Sequence, residues 1–156
     1  MSDIITNLPN IMSDCIAWGS QRVHGSMLIL EFGKPSLYIN IIKNVSFIKR
    51  RIASVQGEWS LSICDCQWKI IAKGDVICSN DADHDLIEAS IKKIDGQYLE
   101  KIEYDIDSKA YVFIFDLGFQ LWTWRQVNSI DDQWQIFKSG NHYISLNYKG
   151  EVDLNA

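Results

Sequence analysis

Two cysteines one residue apart, Cys64 and Cys66, are the residues whose type and spacing most suggest chemistry. On a β-strand, residues i and i+2 point to the same side, so both sulfur atoms would face one way. Cys78 and His84 would complete a set of zinc ligands, three thiolates and one imidazole. Structural zinc sites, however, usually separate paired cysteines by about two to four residues. Cysteine also packs well in apolar surroundings, so we predict packing and no metal site.

The other signatures of catalysis are missing from the sequence. His24 and His142 lie beside glycine-containing turns, and His84 lies among acids at the start of a predicted helix. The chain contains no Gly-x-Ser-x-Gly, phosphate loop, dinucleotide fingerprint or His-Glu-x-x-His. We therefore predict that the protein is not an enzyme and has no cofactor.

Composition predicts one globular domain spanning residues 1–156. The chain is 47% hydrophobic and 22% charged, and its four cysteines are too few for a disulfide scaffold. The first residues lack a basic segment followed by an apolar run, and no apolar stretch approaches the roughly 20 residues that cross a membrane. We expect a cytoplasmic protein that does not bind membranes.

Most of the chain has the pattern of short β-strands. Residues 58–63 alternate strictly, with Trp59, Leu61 and Ile63 on one face and serines on the other. Residues 26–32 and 36–42 flank a Gly-Lys-Pro turn and are predicted to pair as a hairpin. Further strands follow residue 97 at short intervals, as in an antiparallel meander.

Two helices interrupt this β-rich pattern. Between about residues 83 and 94, Leu86, Ile87, Ile91 and Ile94 recur at a period near 3.6, and Asp83 is a suitable N-cap. A shorter helix is predicted at residues 7–15. The predicted fold class is α+β: mainly an antiparallel curved sheet or partial barrel, with one principal amphipathic helix and a short N-terminal helix.

Negative charge is concentrated in one segment. The net charge is −5, but residues 79–107 alone hold nine acids against three lysines, a local charge of −6. Such a surface attracts basic partners and repels nucleic acid. The alternative interpretation is that these charges only keep a surface helix and an edge strand soluble.

Two features of the sequence favour nucleic-acid binding. Four bases surround Phe47 between residues 43 and 51, and Trp122 and Trp124 share one face of a predicted strand. Stacking aromatics in a basic groove would suit single strands. Because the net charge opposes this, we predict no nucleic-acid partner, and the tryptophan pair belongs either to a binding surface or to the core.

Four segments carry a family resemblance: GEWSLSICDCQW at 57–68, IKKIDGQYL at 91–99, FIFDLGFQLWTW at 113–124 and DDQWQIF at 131–137. Over roughly residues 55–148 the chain is similar to small, mostly uncharacterised bacterial proteins. In size, acidity and lack of motifs these resemble the immunity proteins of polymorphic and contact-dependent growth inhibition toxin systems. No interface residue can be carried over, since such proteins vary most where they bind.

The resemblance implies stoichiometric inhibition of a cognate toxin domain, such as a nuclease with a basic cleft, by a preformed acidic surface. From the charge distribution, the candidate partner-binding residues are Asp81, Asp83, Asp85, Glu88, Glu103, Asp105 and Asp107. The alternative function is a β-rich module that binds a small molecule or regulates without catalysis, for which an apolar cavity lined by tryptophans would be the evidence.

Overall fold

A computed structural model describes residues 3–43 and 49–154 of the chain. Within these residues the chain forms two short helices and 13 strands. The helices are α1 (Asp3–Ile11) and α2 (His84–Ile91), and a 3₁₀ turn, Lys92–Ile94, continues α2. The strands are β1 (Ala17–Arg22), β2 (Leu28–Phe32), β3 (Ser36–Lys43), β4 (Lys49–Gln56), β5 (Trp59–Ile63), β6 (Cys66–Ala72), β7 (Asp75–Ser79), β8 (Leu99–Asp105), β9 (Ala110–Phe115), β10 (Phe119–Arg125), β11 (Trp134–Lys138), β12 (Asn141–Leu146) and β13 (Val152–Leu154).

The strands form two antiparallel sheets and a separate two-stranded ribbon. One sheet has six strands in the order β1-β2-β5-β11-β12-β13, and the other has five in the order β7-β6-β10-β9-β8. The ribbon consists of β3 and β4. The chain crosses between the sheets through the short β5–β6 connection and the β10–β11 loop, which lie at the same end of the molecule because Arg125 pairs with Cys66 and Trp134 with Ile63.

The two sheets pack face to face around one core. Phe32 of the six-stranded sheet stacks on Phe115 of the five-stranded sheet, with ring centroids 6.5 Å apart. Trp134 contacts Tyr111 and Phe113 edge to face, at 5.8 and 5.5 Å. These aromatic contacts join strands of different sheets, so the architecture is a sandwich.

The helices cover the sides of this sandwich. Helix α2 and the 3₁₀ turn pack on β1, and α2 also contacts β7, so α2 lies against one edge strand of each sheet. Helix α1 contacts β8, and its buried Ile5 and Leu8 join the central core. Among the described residues, neither helix has the length and apolar character needed to cross a membrane.

The predicted α+β class and antiparallel pairing are confirmed, but the finer architecture differs. The sheets are not closed into a barrel. Asp83 is the N-cap of α2, and its carboxylate accepts a hydrogen bond from the Leu86 N–H. One principal amphipathic helix is not confirmed, because α2 has eight residues and α1 has nine. Leu86, predicted on the apolar face, is exposed.

Two local predictions are wrong. Residues 26–32 and 36–42 do not pair as a hairpin, because β2 pairs with β1 and β5 while β3 pairs with β4. The chain leaves the sheet after Phe32 to form the ribbon and returns after Gln56. The N-terminal helix begins at Asp3 instead of residue 7, and Pro9 lies inside it.

Candidate protein-binding surface

The cysteines that suggested chemistry lie in packed surroundings. Cys66 and Cys78 are buried, and Cys64 is half-buried. Burial raises the pKa of the Cys66 thiol, and burial followed by the Asp132 carboxylate raises the pKa of Cys64 to about 11. At neutral pH both are therefore protonated thiols, which are poor nucleophiles and poor metal ligands. Among the described residues, no three His, Cys, Asp or Glu side chains are grouped so that they could hold a metal ion.

The outward side of the five-stranded sheet carries the tryptophan pair. Along β10, Leu121 and Thr123 are buried in the core, whereas Trp122 and Trp124 point outward and are half-buried. The sequence left open whether this tryptophan pair belongs to the core or to a surface. In the structure the pair lies on the outer face of the sheet and not on the core face. We call this outward side the open face; its residues include Gln67, Lys69, Ile71, Glu103, Val112, Ile114, Gln120, Trp122 and Trp124.

Trp122 lies at the centre of the open face and is held by its neighbours. Its register places it between Lys69 of β6 and Val112 of β9. The Lys69 ammonium lies 4.9 Å from the Trp122 ring centroid, a cation–π distance, and the Trp122 indole N–H donates to the Gln120 side-chain oxygen at 2.9 Å. A cavity of about 170 Å³ beside Trp122 reaches Glu103 of β8. The ring is therefore preorganised next to an acidic edge.

The structure divides the predicted acidic residues between two edges of this sheet. Asp81 and Asp83 follow β7, and Asp85 and Glu88 lie on α2, which contacts β7. The remaining three, Glu103, Asp105 and Asp107, belong to β8 and the turn after it. Strands β7 and β8 are the opposite edges of the sheet, four strand spacings or about 19 Å apart.

Four of these acids also have local structural contacts, and the first, Asp81, accepts a hydrogen bond from the Asn80 side-chain amide at 3.4 Å. Asp83 caps α2, Glu88 lies 3.8 Å from the Arg22 guanidinium, and Asp105 accepts hydrogen bonds from the backbone and hydroxyl of Ser108. For Asp107 the described residues show no such contact. Substitution of exposed Asp107 therefore probes surface charge with the least structural disturbance.

Acids that the sequence analysis missed lie between the two edges. Asp65, Asp131 and Asp132 belong to the β5–β6 and β10–β11 connections, at the end of the sheet where β7 and β8 also finish. All three raise the pKa of Cys64, and the Ser129 hydroxyl donates to Asp65. We call the acids at this end the acidic rim: Asp65, Asp81, Asp83, Asp105, Asp107, Asp131 and Asp132.

Exposed apolar side chains are interspersed with the acidic rim. Ile106, between Asp105 and Asp107, is 78% exposed, and Ile130, before Asp131, is 77% exposed. Apolar groups surrounded by charge are typical of protein-binding surfaces. Together with the open face, they give this end of the molecule both apolar and negatively charged contacts.

A cavity with the opposite charge lies at the same end of the sandwich. It has a volume of about 400 Å³ and is lined by Tyr104, Lys109, Tyr111, Arg125, Gln133, Tyr148, Lys149 and Gly150. The cations of Arg125 and Lys149 each lie 5.7 Å from the Tyr148 ring centroid. Among the side chains that the structure describes, the only ion pair is Arg22 with Glu88, so these cations have no described carboxylate within 4.0 Å.

Comparison with protein-family models, curated proteins and solved structures finds no match to this chain.

Proposed function

We propose that this protein is a cytosolic immunity protein, which binds a cognate toxin domain and neutralises it without catalysis. The observation that carries the proposal is the position of Trp122 and Trp124 on the open face, beside the acidic rim. Tryptophan is enriched among the residues that dominate binding energy, and surrounding charges steer the encounter and set the orientation. The resemblance of the sequence to immunity proteins supports the same function.

The charge of the rim favours a toxin domain with a basic cleft. Seven carboxylates lie on the rim, and four bases, Arg22, Lys109, Arg125 and Lys149, lie at the same end of the sandwich. A domain that acts on nucleic acid presents cations to phosphate, and the rim carboxylates would occupy the same positions. The inhibited complex would bury the catalytic cleft of the toxin against the open face.

Co-expression is the direct test of this function. The partner to use is the C-terminal domain of a large secreted protein encoded directly upstream of this gene. Cells that produce this domain together with our protein should grow, and the two proteins should copurify in a 1:1 complex. Growth arrest despite abundant folded protein would contradict the proposal.

Charge reversal on the rim should slow toxin binding. The variant Asp107→Lys/Asp131→Lys changes two exposed rim residues, and we expect its association rate to fall about tenfold or more at low salt. The salt dependence of association should also weaken, which stopped-flow fluorescence would measure. The control, Asp14→Lys/Asp75→Lys, has the same net charge but changes exposed residues outside the rim. Equal association rates for the two double variants would show that the rim is not part of the interface.

The cation-lined cavity favours a second candidate function, binding of a small anion. Burial, followed by the neighbouring Tyr104, raises the pKa of Tyr111, so its phenol remains a hydrogen-bond donor beside the cations. We expect calorimetry at low salt to detect AMP but not adenosine, with at least about tenfold weaker binding by Arg125→Gln. Lys73→Gln, in the β6–β7 turn, is the control. No heat with AMP would leave toxin binding as the sole candidate.

A further inference from the structure

The outward face of the six-stranded sheet contains a buried carboxylate that neither candidate function uses. Glu31 of β2 is only 9% exposed, although its side chain lies on the side of the sheet away from buried Leu30 and Phe32. Among the side chains that the structure describes, no cation lies within 4.0 Å of this carboxylate. Buried charges in proteins are normally paired, so an unpaired one beside a cavity indicates a cationic ligand.

The protein satisfies only one of the two oxygens of this carboxylate. Glu31 Oε2 accepts hydrogen bonds from the Gly57 N–H, at 2.9 Å, and from the Ser60 hydroxyl. The described residues donate no hydrogen bond to Oε1, which remains accessible from an adjoining cavity. The carboxylate is therefore held in one orientation with a free acceptor.

The cavity beside Glu31 offers two further free polar groups. It has a volume of about 220 Å³, and its walls include Ile29, Gln56, Ser62 and Phe137. The Gln56 amide and the Ser62 hydroxyl make no hydrogen bond to described residues. Three polar groups without a protein partner therefore line one small space, which also has an aromatic wall.

The register of the sheet explains why a depression forms here. Ser60 of β5 pairs with Glu31 on one side and with Phe137 on the other, and Ser62 pairs with Ile29. Because a serine side chain is much shorter than its cross-strand neighbours, the outward face is lower along β5 than along β2 and β11. The alternation of β5 thus gives an apolar core face and a polar floor for the cavity.

The base of the ribbon forms a further wall and is fixed in place. Gln56 is the last residue of β4, and a side chain at Gly57 would lie 2.4 Å from the Phe32 carbonyl oxygen, so these two backbones are in close contact. On its other side, Gln56 Oε1 lies 3.6 Å from the position of an added Cβ at Gly140. The cavity is therefore formed before any ligand binds.

The surrounding charges are compatible with a cationic ligand. Lys138 of β11 pairs with Trp59, and its ammonium lies 5.2 Å from that ring centroid, on the core side of the sheet. Arg51 of the ribbon is five residues from Gln56, about 16 Å along the strand. The titratable groups on the same outward face are His142, which pairs with Phe137, and Asp153, which pairs with Ser145.

We propose that this cavity, which we call the amine cavity, binds a primary ammonium group. The ammonium pairs with Glu31 Oε1 and donates its other two protons to the Gln56 side-chain oxygen and the Ser62 hydroxyl, while the alkyl stem lies against Phe137. A primary amine is protonated at pH 7, and its three N–H donors match these three acceptors.

A metal ion fits the amine cavity less well than an ammonium group does. Calcium requires six to eight oxygen ligands, and Glu31 is the only carboxylate that lines the cavity. Among the described residues, no three His, Cys, Asp or Glu side chains are grouped to hold a metal ion. The free acceptors therefore match a hydrogen-bond donor and not a Lewis acid.

Amine binding goes beyond the proposed inhibition of a toxin and does not depend on it. The amine cavity lies on the outward face of the six-stranded sheet, whereas Trp122 and Trp124 lie on the outward face of the five-stranded sheet. A ligand in the amine cavity therefore leaves the open face free. The cation-lined cavity is likewise a separate site with different lining residues.

Nuclear magnetic resonance titration of the ¹⁵N-labelled full chain tests the proposal. Addition of n-butylammonium chloride should shift the amide signals of Gly57, Ser60 and Ser62 in a saturable manner. 1-Butanol has a similar stem without the charge, and tetramethylammonium has the charge without an N–H donor. Both should bind at least about tenfold more weakly, and calcium chloride should leave these signals unchanged.

Three variants locate the binding to the acceptors of the amine cavity. Glu31→Gln keeps the size of the side chain and removes its charge, so n-butylammonium should bind at least about tenfold more weakly. Ser62→Ala removes a free acceptor that holds no other element, and a loss of about threefold or more is expected. Glu100→Gln, which changes an exposed carboxylate of β8, is the matched control and should bind as the natural protein does.

The absence of a saturable shift with n-butylammonium would overturn the proposal, and so would equal binding by 1-butanol. Unchanged affinity in Glu31→Gln would overturn it as well; if circular dichroism shows that this variant does not fold, unchanged affinity in Ser62→Ala has the same meaning. Nα-acetyl-lysine amide carries the same ammonium group on a peptide unit. Binding at least tenfold tighter than that of n-butylammonium would identify a lysine side chain as the natural ligand, and comparable or weaker binding a free amine. No toxin is present in these titrations, so the two proposals succeed or fail separately.

Discussion

Replacement of Trp134 by alanine is expected to lower the free energy of unfolding by about 3–5 kcal/mol. Trp134 is fully buried at the start of β11, and its ring lies between the two sheets against Tyr111 and Phe113. Removing the ring leaves a cavity. The neighbouring strands cannot move in to fill it, because β11 is hydrogen-bonded on both sides at Trp134, to Ile63 of β5 and to Leu146 of β12. For a domain of this size the loss is a large part of the total stability, and urea denaturation followed by far-UV circular dichroism would measure it.

Trp134→Phe is the matched control for this core position. The indole N–H of Trp134 is buried and has no hydrogen-bond partner among the described residues. Phenylalanine keeps most of the aromatic packing and removes this unsatisfied donor, so we expect it to cost less than half as much as alanine. Equal losses for both variants, or a loss below about 1 kcal/mol for alanine, would contradict face-to-face packing of the sheets at this residue.

Local features of the fold were predictable because their causes are local. The alternation of Trp59, Leu61 and Ile63 with serines predicted the one-sided burial of β5, which the structure shows. The Lys73-Gly74 pair forms the turn of the β6–β7 hairpin, and both residues have the positive φ that such a turn requires. Asp83 predicted the start of α2 because a carboxylate there accepts a backbone N–H.

Pairing between distant strands was not predictable from these patterns. Strand β2 lies between β1 and β5, and the 24 residues between Phe32 and Gly57 include the two strands of the separate β3–β4 ribbon. The sequence pattern of a Gly-Lys-Pro turn between two apolar segments is the same whether these segments pair with each other or with other strands. What excludes the hairpin is that both edges of β2 are already paired, one with β1 and the other with β5, which is distant in sequence.

The candidate surface was only partly predictable for the same reason. Charge counting found the acids of residues 79–107, but it did not find Asp65, Asp131 and Asp132, which lie outside that segment. They join the acidic rim because the two chain crossings between the sheets lie beside each other. The outward direction of Trp122 and Trp124 also depends on which side of β10 faces the second sheet, and alternation alone does not determine that side.

Replacement of Trp122 by alanine is expected to weaken binding of the upstream-encoded toxin domain by about 2 kcal/mol or more, roughly 30-fold. Its ring lies at the centre of the open face, and truncation would also leave Lys69 and Gln120 without the contacts that hold their side chains. Because Trp122 is half-buried on the outer face, its loss should cost less stability than that of Trp134. Calorimetric titration of the toxin domain would measure the affinity.

Two variants separate a specific role of Trp122 from a general loss of apolar surface. Trp122→Phe keeps a flat ring beneath Lys69 and should retain most of the affinity, although it cannot donate to Gln120. Leu117→Ala removes an exposed apolar side chain from the β9–β10 turn, at the end of the sheet opposite the acidic rim, and should bind as the natural protein does. If Leu117→Ala weakened binding while Trp122→Ala did not, the interface would lie at that opposite end. Because the ribbon also emerges there, such a result would move the toxin-binding site from the open face towards the ribbon.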